Sequence, residues 1–92
     1  MAVQVRIPSL LRREVGGASQ LSTQGRTIGQ VLADIEGRFP GFRDSLLEKD
    51  GRLRQFINIF VNDEDIRFLQ EMETPLGDGD VVSILPAVAG GR

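Results

Sequence analysis

The pattern of apolar and polar residues predicts strands at both ends of the chain and in its second half. Apolar and polar residues alternate with a period of two in residues 3–7, which is typical of a strand with one buried face. Residues 56–62 and 81–85 are mainly apolar, and we predict a strand in each of them, the first being the strongest in the chain. Pro8 and Pro86 follow the first and the last of these segments and end them, because proline cannot donate a ladder hydrogen bond. The residues expected to face inward are Val3, Val5, Ile7, Ile57, Ile59, Val61, Val82 and Ile84.

Two shorter strands are predicted beside turns. Residues 20–23 follow Gly16-Gly17, and the simplest interpretation of this glycine pair is the turn of a hairpin. Residues 66–68 follow the turn-forming sequence 62–65 and form a brief strand in this interpretation. A second tight turn at residues 77–80 leads into the last strand.

The clearest helix begins at residue 27. Thr27 and Gln30 have the spacing of a capping box, in which the two side chains satisfy backbone N–H groups at the start of a helix. Apolar residues then recur at helical spacing in one stripe, which we interpret as core because no polar side chains converge on it. Pro40-Gly41 ends the helix, and residues 42–47 form a short helical turn after it. The stripe consists of Ile28, Val31, Leu32, Ile35 and Phe39.

This order of elements predicts an α+β fold in one domain. A helix of about three turns covers only one face of a sheet of this size, so we expect four or five strands with one main helix packed on one face. A chain of 92 residues is expected to build a single core. We place the folded domain at residues 1–86 and a flexible C-terminal tail at residues 87–92.

The composition argues against independent catalysis. The chain contains no Cys, His, Tyr or Trp. Without cysteine it has no thiol nucleophile and no thiolate metal ligand, and without histidine it lacks the side chain that most often acts as a general base near neutral pH. We therefore expect a protein that is not an enzyme and that binds no metal or cofactor of its own.

Charge and hydropathy favour neither a nucleic acid nor a membrane as partner. The net charge is −2, and the basic residues are scattered without aromatic residues that could stack on bases. No apolar run approaches the roughly 20 residues that a membrane helix needs, and the first residues do not resemble a signal peptide. The acidic sequences 62–65 and 78–80 lack the spacing of a calcium loop, so we interpret them as turns whose side chains bond the backbone of their own turn. We expect a cytoplasmic protein.

The C-terminal segment carries a resemblance to a known family. Residues 86–92 have no periodicity, no charge before the last residue and the glycine pair Gly90-Gly91 near the end. A single helix on a mixed sheet, with a last strand that runs into Gly-Gly, resembles the ubiquitin-like β-grasp family and, more narrowly, the MoaD/ThiS sulfur carriers. The motifs that carry this resemblance are DGDVV at residues 78–82 and LPAVAGG at residues 85–91. The sequence FINIFVNDED at residues 56–65 is most similar to the branch of CysO-type carriers of actinobacterial cysteine biosynthesis.

The resemblance implies a sulfur carrier that works with partner enzymes. In this family an ATP-dependent, ubiquitin-activating-type adenylyltransferase adenylates the terminal glycine carboxylate, and sulfur then displaces AMP to leave a thiocarboxylate. On this chain Gly91 would hold the reactive carbonyl and Gly90 would precede it. The implied sulfur acceptor is a pyridoxal-phosphate cysteine synthase that binds an O-activated serine. ATP is used by the activating enzyme rather than bound by the chain itself.

Arg92 departs from the family pattern, because it follows Gly91 and converts the glycine carboxylate into a peptide bond. Two interpretations stay open. Either a peptidase removes Arg92 before activation, as in precursors of several ubiquitin-like proteins, or Arg92 is an artificial extension. We expect that the chain resists adenylation until Arg92 is cleaved.

A docking surface is expected on the sheet face that the helix leaves open. The strand alternation places Phe60 and Leu85 on that face, and grouped apolar residues on a surface often mark an interaction site. Leu85 also matches a partner-binding position of the family. We expect a patch of Phe60, Leu85 and Val88 that docks both the activating enzyme and the sulfur acceptor.

Other functions of the tail stay open at this stage. The carrier could serve molybdopterin, thiamin or antibiotic synthesis instead of cysteine synthesis. Gly91 could also form isopeptide bonds as a ubiquitin-like protein modifier, in which case Lys49, the single lysine, is the one lysine side chain from which polymers could grow. A third possibility is a β-grasp interaction module with an inert tail. The sequence does not determine the oligomeric state.

Overall fold

The computed structural model describes residues 2–87 and contains one five-stranded sheet. The strands lie side by side in the order β2-β1-β5-β3-β4. β1 and β5 are parallel, whereas the other neighbouring pairs are antiparallel, so the sheet is mixed. The strands are β1 (Ala2–Arg6), β2 (Gln20–Gln24), β3 (Ile57–Val61), β4 (Glu64–Asp65) and β5 (Val81–Pro86).

The main helix, α1 (Ile28–Arg38), packs its apolar stripe on one face of the sheet. The backbone N–H of Gln30 donates to Oγ1 of Thr27 at 3.1 Å, which confirms the predicted N-cap. The Gln30 side chain accepts from the backbone N–H of Arg26 at 2.8 Å, one residue earlier than a capping box requires. A second helix, α2 (Phe42–Leu46), confirms the short helical turn expected after Pro40-Gly41.

The connection between β1 and β2 differs from the predicted simple hairpin. The two strands do pair in antiparallel register, but a 3₁₀ helix (Ser9–Val15) lies between them. This helix buries Leu11 and Val15 against the core, and Gly16, with a φ of 68°, ends it. The glycine pair therefore forms a turn at the end of a helix, where a left-handed backbone suits glycine.

The predicted strand at residues 66–68 is wrong. Asn62 and Asp63 both have positive φ values, 48° and 79°, and form a two-residue turn that brings Glu64 directly opposite Val61. The short strand is therefore β4, and residues Ile66–Phe68 form a 3₁₀ helix. The turn occupies only two residues, Asn62 and Asp63, so the strand begins at Glu64 rather than at Ile66.

The core lies between the sheet and α1. The residues predicted to face inward from the sheet are buried, and so is the stripe of α1 except Phe39, which is partly buried. The connecting segments add further buried residues that the periodicity did not show. These are Leu11, Val15, Phe42, Leu46, Ile66 and Leu76. Within residues 2–87, no helix is long and apolar enough to cross a membrane.

Candidate functional site: the end of β5 and the open face of the sheet

β5 leads the chain toward its C-terminus through the middle of the sheet, between β1 and β3. Pro86, the last residue of β5, lies opposite Ile57 in antiparallel register. The backbone N–H of Ala87 then donates to the carbonyl oxygen of Phe56 at 2.8 Å. The chain thus leaves the described region from a position that the sheet holds.

Four of the predicted site residues lie outside the described residues. They are Val88, Gly90, Gly91 and Arg92. Their predicted roles stay predictions. The described part of the predicted site consists of Phe60 and Leu85.

Phe60 and Leu85 lie on the open face of the sheet, away from α1, where the alternation placed them. In β3 the neighbours Ile59 and Val61 are buried, while Phe60 between them is half-buried on the other face. Leu85 is 45% exposed. Phe60 pairs with Ser83 on the adjacent strand, so Leu85 occupies the diagonal position, within reach of a large side chain. We call Phe60 and Leu85 the outer-face patch.

A hollow of about 310 Å³ adjoins the outer-face patch. Ser83 lies at its centre, because it pairs with Arg6 of β1 on one side and with Phe60 of β3 on the other. Serine is much smaller than these neighbours, so the surface dips at this position. The hollow is lined by Arg6, Phe60, Asp63, Ser83 and Leu85.

The two charged groups of the hollow do not pair with each other. Among the described residues, the exposed guanidinium of Arg6 makes no ion pair or hydrogen bond, and the carboxylate of Asp63 makes none either. Arg6 lies on the β1 side of Ser83, whereas Asp63 lies in the turn between β3 and β4 on the other side. The hollow therefore has an available cation at one side and an available anion at the other.

Arg67 borders the outer-face patch, although no sequence pattern indicated it. Its Nη1 donates to Oδ1 of Asn58 at 2.6 Å, and its Nη2 donates to the carbonyl oxygen of Ile57 at 3.0 Å. An ion pair with Asp65 at 3.6 Å completes the set. Asn58 lies opposite Leu85 in the β3–β5 register, so the guanidinium of Arg67 is held near the patch. These contacts depend on the fold-back at residues 62–63, which lies inside the predicted turn 62–65 but is tighter than the sequence pattern indicated.

A larger cleft of about 780 Å³ lies beyond Arg67. Its charged side chains largely neutralise one another: Arg52 pairs with Asp50 at 3.0 Å, and Arg54 pairs with Glu48 at 3.5 Å. The cleft consequently presents no field of a single sign. Lys49 is exposed in this loop and forms no ion pair within the described part of the chain. The lining residues are Glu48, Lys49, Asp50, Arg52, Leu53, Arg54, Gln55, Arg67 and Glu71.

Asp80 and Asn62 fix the start of β5. The carboxylate of Asp80 accepts from the backbone N–H of Gly77 at 2.8 Å and from Nδ2 of Asn62 at 3.0 Å. These two hydrogen bonds lower the pKa of Asp80 against the opposing effect of slight burial. Oδ1 of Asn62 accepts from the backbone N–H of Val81 at 3.0 Å. Asp80 thus bonds the backbone of its own turn, as predicted, whereas Asn62 bonds the backbone of β5 instead. Residues 2–87 contain no cluster of three or more His, Cys, Asp or Glu placed to hold a metal ion.

Comparison with known proteins agrees with this geometry. The sequence model of the protein family described as "ThiS family" matches residues 5–91 of the chain. The chain is 46% identical to the sulfur carrier protein CysO of Mycobacterium tuberculosis, over 99% of this chain and 100% of that protein. It is 43% identical, with a TM-score of 0.90, to a chain in the crystal structure of the Amycolatopsis orientalis BexX/CysO complex, covering 98% and 100% of the two chains. It is also 34% identical to small archaeal modifier protein 3 of Haloferax volcanii, over 99% and 100%.

The mixed sheet, the single main helix and these relatives together define a ubiquitin-like β-grasp protein of the sulfur carrier class. Proteins of this class are small carriers rather than catalysts. The chain belongs to the ThiS family, which confirms the MoaD/ThiS resemblance inferred from its motifs. The family match includes Gly90-Gly91 and ends before Arg92.

Proposed function

We propose that this chain carries sulfur as a thiocarboxylate on Gly91 and supplies it for cysteine synthesis. The observation that carries the proposal is the 46% identity to a CysO sulfur carrier over nearly the full length of both chains. The family match that runs through Gly91 gives independent support. The absence of Cys from the sequence fits as well, because the chain has no thiol that could hold sulfur elsewhere.

The chemistry consists of two acyl substitutions. The Gly91 carboxylate attacks the α-phosphate of ATP in the activating enzyme, which releases pyrophosphate and leaves an acyl adenylate. Sulfide then attacks the acyl carbon and displaces AMP, so that one carboxylate oxygen is exchanged for sulfur. The activating enzyme and ATP supply the driving force, and the chain supplies the acyl group.

Glycine suits a reacting terminus that must enter the sites of other enzymes. It has no Cβ, so the backbone can approach a nucleotide closely and adopt φ values that other residues avoid. The hydrogen bond between Ala87 and Phe56 gives the segment a fixed starting point. From there Gly91 is four residues away, a span of roughly 14 Å when extended.

Arg92 requires a preceding step in this proposal. Hydrolysis of the Gly91–Arg92 peptide bond by a peptidase frees the glycine carboxylate that ATP activates. If Arg92 is an artificial extension instead, the natural chain needs no such step. The reaction at Gly91 is the same in both cases.

Docking is proposed for the outer-face patch together with Val88. An exposed leucine beside a half-buried phenylalanine, surrounded by polar residues, has the composition of an interface core with a polar rim. Leu85 lies on the strand that leads into the tail, so a partner that binds the patch also sets the direction in which the tail extends. The occurrence of the related A. orientalis CysO in a complex with BexX supports the expectation that this chain binds partner proteins.

The sulfur acceptor proposed here is a pyridoxal-phosphate cysteine synthase with an O-activated serine. The thiocarboxylate sulfur forms a bond to the β-carbon of that serine while the bond to the activated oxygen breaks. Hydrolysis of the acyl–sulfur bond then releases the cysteine thiol and restores the Gly91 carboxylate. The same thiocarboxylate could instead serve thiamin or molybdopterin synthesis, and the identity to CysO favours cysteine.

The decisive experiment is intact-mass analysis of the chain ending at Gly91 after incubation with ATP, Mg²⁺, sulfide and the activating enzyme of the same organism. We expect one oxygen to be replaced by sulfur. The matched control is the chain that retains Arg92, which should keep its mass. Addition of the cysteine synthase and an O-activated serine should then restore the carboxylate and release cysteine. No mass change in the chain ending at Gly91 would contradict the carrier function.

Protein modification is the second candidate. The observation that favours it is the 34% identity to small archaeal modifier protein 3 over nearly both full lengths. In the same experiment, a mass equal to the chain attached to another protein's lysine, with loss of water, would indicate this function. Polymers linked through lysine side chains would require Lys49, so Lys49→Arg would eliminate them.

A further inference from the structure

We propose that the hollow at Ser83 receives an acidic side chain of the activating enzyme, and that Arg6 pairs with its carboxylate. This inference rests on the proposed docking role of the outer-face patch. We assign the contact to the activating enzyme because both the carrier and the modifier functions require adenylation. Arg6 is then a residue that determines partner specificity.

The shape of the hollow favours a side chain of another protein. Its volume of about 310 Å³ is near the lower limit of pockets that hold small molecules. It lies on an open sheet face, and the exposed Leu85 forms part of its wall. A partner that covers Leu85 would therefore place one of its own side chains over Ser83.

The charge of Arg6 indicates what that side chain is. A guanidinium presents a rigid set of donors that matches a carboxylate in a bidentate arrangement. Arg6 has none of its donors occupied within the described residues, whereas those of nearby Arg67 bond Asn58, Ile57 and Asp65. Within residues 2–87, Arg6 thus lines the hollow with its pairing capacity free for a partner.

Asp63 orients the partner. Its carboxylate lines the same hollow on the side away from β1 and would repel an acidic group placed there. A partner carboxylate is accordingly favoured on the Arg6 side, and a donor or cation on the Asp63 side. Two opposite charges on either side of the hollow define one docking orientation and disfavour the reversed one.

The position of the hollow links this contact to the reaction. Ser83 and Leu85 are alternate residues of β5 and face the same side. An anchor at Ser83 together with apolar contact at Leu85 aligns the axis of β5 with the partner, and β5 leads directly to Ala87. The contact thereby directs the tail toward the nucleotide site of the activating enzyme.

Two substitutions test the charge and the space separately. Arg6→Glu reverses the charge, and Ser83→Leu fills the hollow on a face that contributes nothing to the core. The matched controls are Arg26→Glu, at an exposed position before α1, and Ser22→Leu, at an exposed position of β2. Thermal unfolding of all four variants should resemble that of the wild type. Binding to the activating enzyme is measured by isothermal titration calorimetry, and adenylation by ATP–pyrophosphate exchange with the chain ending at Gly91.

We expect Arg6→Glu and Ser83→Leu each to weaken binding by about tenfold or more. The carboxylate that the first variant introduces would repel the partner carboxylate, and the leucine side chain of the second would occupy the space that the partner side chain needs. KM for the carrier should rise while kcat stays near the wild-type value, and Arg6→Lys should recover part of the affinity. The controls should stay within about twofold, because neither Arg26 nor Ser22 lines the hollow.

Three results would overturn the proposal. Wild-type affinity in both test variants would show that the hollow is not contacted. Loss of binding in Ser83→Leu alone would show that the occupant of the hollow is not an acidic side chain. Weakened binding to the cysteine synthase with unchanged binding to the activating enzyme would reassign the contact. All three leave the proposed function intact if the wild type is adenylated, whereas a wild type that neither binds nor reacts would remove the function and this inference together.

Discussion

Arg67 donates a hydrogen bond of 2.6 Å to Asn58, and Asn58 lies opposite Leu85 in the β3–β5 register. A residue of the 3₁₀ helix after β4 thereby stabilises the position beside the most exposed member of the outer-face patch. The second bond, from Arg67 to the carbonyl oxygen of Ile57, ties the same guanidinium to the strand that pairs with the end of β5. The border of the proposed docking surface is thus held by contacts that Arg67 makes to residues nine and ten positions earlier in the chain.

Arg67→Ala is expected to loosen this border without unfolding the domain. The side chain is about one-third exposed, so the loss of its bonds should cost on the order of 1 kcal/mol in the free energy of unfolding. Chemical denaturation measures this change. Arg67→Lys should recover little of the loss, because an ammonium cannot reach both acceptors as a planar guanidinium does. Equal stability of Arg67→Ala and the wild type would show that the contacts contribute nothing.

Phe60→Asp should weaken binding to the activating enzyme and leave the domain folded. The side chain lies on the open face, so the substitution removes apolar contact area from the patch and adds a charge there without creating a core cavity. We expect a loss of affinity of about tenfold or more by calorimetry, typical of a central interface residue. Phe68→Asp is the matched control, since Phe68 is 87% exposed and lies outside the patch. Unfolding of Phe60→Asp would show instead that this ring supports the core.

Removal of residues 90–92 tests whether the C-terminal tail is required for function. The truncated chain should unfold at the same temperature as the full chain, because the described core ends with β5. It should show no adenylation, in contrast to the chain ending at Gly91, since no Gly91 carboxylate is left for ATP to activate. Pyrophosphate exchange and growth of a strain that depends on the carrier measure the outcome. Full growth with the truncated chain would identify an interaction module whose tail has no role.

The Asp80 carboxylate should stabilise the folded protein at neutral pH and lose this effect in acid. Its pKa is lowered in the folded state, first by the backbone N–H of Gly77 and then by Asn62. The stabilisation is therefore complete above the ordinary aspartate pKa of about 3.9 and is lost as the pH falls through the lower folded value. Asp80→Asn should destabilise the protein at neutral pH, and the difference from the wild type should shrink as the pH is lowered through this range.

The comparison with Asp80→Asn isolates one carboxylate among several. Backbone hydrogen bonds also lower the pKa values of Glu36, chiefly from Gly41, and of Asp50, chiefly from Arg52. Both groups are present in the wild type and in the variant, so their effects cancel in the difference. Denaturation curves at a series of pH values give that difference, and a gap that is independent of pH would contradict the assignment.

The local patterns of the sequence were sufficient for most elements of the fold. Alternation in residues 3–7 and two mainly apolar runs located three strands, and Thr27 with Gln30 marked the start of α1, because these signals depend on residues close together in the chain. The 3₁₀ helix Ser9–Val15 and the strand β4 were missed or displaced. The 3₁₀ helix has too few turns to show a clear hydrophobic period. The position of β4 depends on the tight turn that the positive φ values of Asn62 and Asp63 allow.

The sequence by itself determined the class of fold, the inward-facing residues and the glycine pair at the chain end, because each of these is a property of neighbouring residues. The tertiary structure alone decided that Ser83 lies between Arg6 and Phe60, and that Arg67 reaches Asn58. β1 and β5 come from opposite ends of the chain, and their parallel pairing has no local signal. Side chains that meet only through such pairing form a surface whose shape and charge cannot be predicted from any single segment of the sequence.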